Sequence, residues 1–193
     1  MKMCIQAAAC GVIAASAMSA SAGQLVLELT TEYSGSAYPA GAAPWARATF
    51  TDKAPGVVGL VLECLLQDPG EFMAKSTSTK GWDFNLDPAM DPDDLAFTYV
   101  SGEAASAILT EADDFQAGPD RWFDMVFQWT NGLRGGDTAE YDISIAGGGL
   151  TAASFDFVTS SGPVGQTGWH TAVHVQGITD PSSGQGGSGW MGG

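Results

Sequence analysis

Side chains two apart along several short runs share a chemical character, and this alternation constrains the fold more than anything else in the chain. Phe123, Met125, Phe127 and Trp129 interleave with Trp122, Asp124, Val126 and Gln128. Tyr141, Ile143 and Ile145 interleave with Glu140, Asp142 and Ser144, and Leu25, Leu27 and Leu29 with Val26, Glu28 and Thr30. A period of two puts one set on a core face and the other toward solvent, the pattern of a half-buried β-strand. Residues 57–62 are apolar on both faces and suit a central strand covered from both sides. Further strands are expected at residues 47–51, 72–75, 95–100, 155–158 and 169–178. Turn clusters such as Asp68-Pro69-Gly70, Gly135-Gly136-Asp137 and Gly147-Gly148-Gly149 separate the runs. Roughly ten strands punctuated in this way predict an all-β fold, an antiparallel β-sandwich of one domain, jelly-roll-like. One helix is expected, in the Ala-rich residues 103–112.

The N-terminus reads as a secretory signal over residues 1–22. Lys2 is its only charge, an Ala-rich apolar stretch follows, and Ala20-Ser21-Ala22 offers a small-x-small cleavage site before Gly23. The expected mature chain keeps 6 basic and 22 acidic residues, net −16, with Cys64 as its sole cysteine. A lone cysteine in an apolar run reads as a buried, inert thiol, and a secreted fold without an internal disulfide depends on burial. The β-domain is expected over residues 23–180. Residues 181–193 are expected as a flexible Gly/Ser-rich tail unless Trp190 docks.

Charge narrows the partners. With a net −15 and only 7 Lys and Arg, the chain lacks the basic clusters that neutralise phosphates, so nucleic acid is excluded as a partner. An anionic membrane surface repels it for the same reason. The charged fraction is only 15%, so this is no disordered acidic tail.

Four constellations could carry chemistry. Asp83, Asn85, Asp87, Asp91 and Asp94 stand at positions 1, 3, 5, 9 and 12 of a calcium-loop spacing. Pro88 occupies the position that needs Gly, and Asp94 replaces the longer bidentate Glu, so the candidate is a non-EF-hand calcium site, against the simpler reading of a solvated Asx-rich turn. Asp113, Asp114 and Asp120 form a second segment of the same kind. Glu140 and Asp142 match part of the Glu-x-Asp-x-x-Glu strand of jelly-roll glycosidases, but Ile145 fills the place of the second Glu. His170 and His174, four apart on an extended chain, lie roughly 13 Å apart, too far to share a metal. Of the six Trp, Trp45 and Trp122 are the candidates for an exposed sugar-stacking platform; the others are expected to be core or rim.

Trp82-Asp83-Phe84-Asn85-Leu86-Asp87-Pro88, Leu95-Ala96-Phe97-Thr98-Tyr99-Val100-Ser101-Gly102, Phe123-Asp124-Met125-Val126-Phe127 and Ala172-Val173-His174-Val175-Gln176-Gly177-Ile178 together resemble a family of uncharacterised secreted bacterial proteins of the PEP-CTERM-associated type. The likeness spans residues 81–178 and implies an exported, β-rich surface or matrix protein. This chain ends at Trp190-Met191-Gly192-Gly193 without the sorting tail, so release to the periplasm or exterior, with no membrane anchor in the mature chain, is the expectation. The function expected is that of a non-catalytic, extracellular-matrix-associated protein with extracellular polysaccharide or surface proteins as partners. The alternative is a carbohydrate-binding module stabilised by calcium; no other cofactor is expected.

Overall fold

A computed structural model describes residues 23–76, 80–118, 122–159, 168–179 and 186–193. The signal segment, Asp120 and residues 181–185 lie outside the described residues. Strands run in chain order as β1 (Gln24–Leu29), β2 (Thr31–Glu32), β3 (Ala46–Ala54), β4 (Val57–Cys64), β5 (Phe72–Met73), β6 (Trp82–Phe84), β7 (Leu95–Gly102), β8 (Ala107–Gln116), β9 (Trp122–Gln128), β10 (Thr138–Ile145), β11 (Thr171–Thr179) and β12 (Gly186–Gly192). They form two antiparallel sheets. The first has the order β1-β3-β4-β10-β7 and the second β2-β12-β11-β6-β9-β8, with β5 also beside β11. The fold is an all-β sandwich; the strand order itself does not carry the jelly-roll part of the expectation.

The pleat acts as the alternation requires. Along β10, Ala139, Tyr141 and Ile143 are buried while Glu140, Asp142 and Ser144 are half-exposed. Phe123, Phe127 and Ile143 are completely buried. The main core joins Phe50, Leu60 and Ile143 of the first sheet to Trp82, Phe84, Phe127 and Val173 of the second. Phe50 packs edge-on to Phe84 at 5.6 Å, and Phe84 edge-on to Phe127 at 5.9 Å. Each such side chain contributes about 1.5–3 kcal/mol by leaving water, enough for a fold without a disulfide.

Two local expectations are overturned, and at the C-terminus the stated exception, docking of Trp190, is what the structure shows. Residues 103–112 are not helical: β8 begins at Ala107, because Ile108 opposite Phe127 and Leu109 opposite Val126 complete the sheet, and that pairing outweighs alanine's helix propensity. Residues 155–158 are not a strand. A 3-10 turn, Ala152–Phe155, is held by Ala152 N–H donating to Asp52 Oδ1 at 2.6 Å, and it stacks Phe155 on Phe50 at 4.2 Å. The C-terminal tail is β12 where it is described, paired along β11 with Trp190 opposite His174. Its glycines permit close approach: a Cβ on Gly192 would stand 2.6 Å from the Trp169 ring.

The two lateral borders differ. On one, the chain passes from β1 in the first sheet to β2 in the second, and Thr30 and Tyr33 N–H groups donate to Gly192 and Trp190. On the other, β7 ends the first sheet and β8 the second. Thr110 faces Met125 and Phe115 faces Phe123, so residues 111–114 bulge out opposite Asp124 alone. Asp113 sits at φ 52 in that bulge, a left-handed conformation unfavourable for a residue with a Cβ, and its N–H donates to Asp124 Oδ1 at 2.9 Å.

Candidate functional site

The five proposed calcium ligands do not assemble. Asp83, in the middle of β6, is fully buried on the outer face of the second sheet between Val126 and Ala172, and neither carboxylate oxygen has a partner. Burial pushes its carboxyl well above the usual range, favouring the neutral acid. Asn85 Nδ2 donates to the carbonyls of Trp169, Phe157 and His170 at 2.9–3.3 Å, tying two distant segments together. Asp87 and Asp91 each accept from the N–H two residues on, Ala89 at 2.9 Å and Asp93 at 3.0 Å, as Asx turns do. Asp94 is exposed and offers its carbonyl to Ala146. Among the described residues, no group of three or more His, Cys, Asp or Glu is arranged to hold a metal ion. The linear spacing misleads because an extended chain advances about 3.3 Å per residue and carries each ligand past the next.

What the fold does bring together are the two acidic segments themselves. Asp87, Pro88, Met90 and Pro92 form one wall of a cleft of about 360 Å³, and Ala112 and Asp113 of the β8 bulge form the other. Asp124, Asn85, Phe157 and Val158 also line it. A shallower trough of about 460 Å³ continues past Asp91, Asp93 and Glu111, sharing Pro88, Met90, Pro92 and Ala112. Thr110 Oγ1 donates to Asp93 Oδ1 at 3.1 Å, linking the walls. Six carboxylates thus border one continuous depression, and no Lys or Arg lines either part. Burial raises the Asp124 carboxyl, opposed by the N–H groups of Leu86 and Asp113 that it accepts. Asp124 reads in the sequence as an ordinary outward residue of β9; only the bulge folded over it makes it part of the cleft.

The tryptophan platform is likewise corrected. Trp45 is only 4% exposed, packed in the main core with Tyr38 against it at 5.7 Å. Trp122 is half-buried at the start of β9 in the second sheet, opposite Gln116 of β8, whereas Trp45 directly precedes β3 of the first sheet, so the two do not form one surface. Glu140 and Asp142 lie on the outer face of the first sheet, where Lys53 Nζ reaches them at 3.4 and 2.6 Å. His174 is buried against Trp190 with ring centres 5.1 Å apart, and burial, aided by Lys80, lowers its imidazole to about 4. His170 Nδ1 stands 3.3 Å from Asp156 Oδ1. Cys64 is buried and free, its thiol pushed up to about 12 chiefly by desolvation, which makes it the inert thiol expected. Among the described residues no helix is long and apolar enough to cross a membrane.

Comparison with protein-family models, with curated proteins and with solved structures finds no match to this chain.

Proposed function

We propose that this is an exported, non-catalytic protein of the extracellular surface or matrix that works by binding, and that the acidic cleft is where it binds. The observation that carries this reading is the convergence of residues 87–93 and 111–113, two segments far apart in the chain, on one depression bordered by six carboxylates. Low-dielectric walls focus the potential of a net −15 molecule into such a depression. Its complement is a cationic group on an apolar stem, because Met90, Pro88, Pro92 and Val158 line the cleft together with the carboxylates. Lysine side chains of a surface protein have that chemistry, with the ammonium on the carboxylates and the methylenes on the apolar residues. The non-catalytic part of the reading is supported by Glu140 and Asp142, the partial match to the glycosidase strand, which are engaged by Lys53.

Calorimetric titration with trilysine, and in parallel with the neutral sugar cellohexaose, tests the proposal. Trilysine should bind at low salt and weaken as salt rises. The combined variant Asp87→Asn, Glu111→Gln, Asp113→Asn should lose about tenfold in affinity, from roughly 0.5 kcal/mol per exposed charge contact. Glu28→Gln, Glu63→Gln, Glu140→Gln, which changes the net charge equally on the first sheet, should not. Equal losses in both triple variants, or preferential binding of cellohexaose, would contradict the reading; the second result would return the glycan alternative at Trp122.

A further inference from the structure

The strands that border the two sheets are not protected alike. β1 and β2 are joined by the chain that passes between the sheets, and carry Glu28 and Glu32. β8 is interrupted by its acidic bulge. β7 carries no charged residue from Leu95 to Gly102 and pairs only with β10; Leu95 N–H donates to the Pro92 carbonyl, and beyond it the outer edge has no backbone partner among the described residues. Residues 98–102 are exposed, Tyr99 by 49% and Val100 by 42%. Glu140 faces Ser101 and Tyr141 faces Tyr99, so Val100 is an extra residue, and residues 96–99 form the regular part of the open edge. An edge of unpaired N–H and C=O groups accepts one kind of occupant, another extended strand. The flanks say which. Asp93 and Asp94 precede β7 and Glu103 follows it.

We propose that β7 is an acceptor edge for an extended segment of another protein, uncharged and β-forming at its centre and basic at both ends. The central residues extend the first sheet by backbone pairing, and the basic ends meet Asp93 and Asp94 at one end and Glu103 at the other. A second copy of this chain is a poor occupant. Antiparallel copies set Asp94 near the other copy's Glu103, parallel copies set Asp94 near Asp94, and like charges facing each other across paired strands destabilise. Two molecules of net −15 also repel at a distance.

The test uses the whole chain and the synthetic peptide Lys-Lys-Thr-Val-Thr-Val-Thr-Lys-Lys, with affinity and amide hydrogen exchange as readouts. Two companions are the same peptide N-methylated at alternate residues and a version with Glu in place of Lys. The basic peptide should bind, slow exchange within Leu95–Gly102, and persist in excess trilysine. N-methylation should cost about tenfold or more, the loss of one or two net hydrogen bonds of roughly 1 kcal/mol each. The Glu version should not bind measurably. No binding, equal affinity of the N-methylated peptide, protection confined to residues 87–93 and 111–113, or displacement by trilysine would overturn the proposal. So would β7 amides already protected in a chain that sediments as a dimer. Displacement by trilysine would do so while leaving the cleft reading intact.

Discussion

Asp83 sits between two aromatic residues in a strand, and by alternation alone it points to water. It does point away from the main core, but the outer face of the second sheet has its own cover: Phe115, Val126, Ala172 and Trp190 form a smaller apolar cluster, with Tyr33 and Trp169 against it. The sequence shows the parity; it does not show that solvent is absent from that side, because the cover comes from the chain's far end. The buried carboxyl has a measurable consequence. Unfolded, an Asp loses its proton near ~3.9. Folded, Asp83 holds the proton to higher pH, so the folded state carries the extra proton and stability falls as pH rises through that window. His174 acts oppositely. Its folded value of about 4 lies below the ordinary imidazole range, so stability rises with pH from 4 toward ~6.5. The two slopes have opposite sign and offset one another wherever their windows overlap. In the parent, thermal melts followed by circular dichroism should therefore rise less steeply between pH 4 and ~6.5 than the His174 shift alone dictates. Asp83→Asn should melt higher at pH 9 and reveal the rising His174 limb; a variant with the parent's pH profile would show that Asp83 is ionised in the fold.

At the scale of elements, composition misleads twice. Residues 103–112 have helix-forming alanines, yet become largely a strand because β9 presents Phe127 and Val126 to be paired. The C-terminal glycines look like a linker, yet Gly192 is a glycine because Trp169 lies over it. Trp190 was the legible clue, as a large apolar residue in a polar tail. Gly192→Val should destabilise by about 1–3 kcal/mol in urea unfolding through overpacking. Gly187→Ala should stay within about 0.5 kcal/mol, since a Cβ there meets nothing nearer than 3.7 Å. Equal effects would mean that β12 does not pack as described. The acidic segments show the same lesson from the other side. Each is readable as Asx-rich, but their meeting depends on the bulge opposite Asp124, which no periodicity announces.

For the molecule as a whole, alternation was sufficient for two packed antiparallel sheets, since period two forces a buried and a wet side on each strand. The strand order was not legible, because pairing between β4 and β10 or β6 and β11 is a long-range choice that local pattern does not encode. Net charge acts at this scale too. Six carboxylates along one cleft and a net −15 overall make self-repulsion a destabilising term that salt screens. The melting temperature should rise with added sodium chloride. Calcium chloride at matched ionic strength should add little beyond it, because the five candidate side chains of residues 83–94 do not form a cage; a large calcium-specific rise would reinstate a metal site.

The cleft is the centre of the account, and an amide chemical-shift titration with trilysine addresses it most directly. Shifts should move together in residues 87–93, in residues 111–113 and at Asp124, saturating with one common affinity. Shifts concentrated around Trp122, on the outer face of β3, β4 and β10, or spread over every acidic residue without saturation would contradict it.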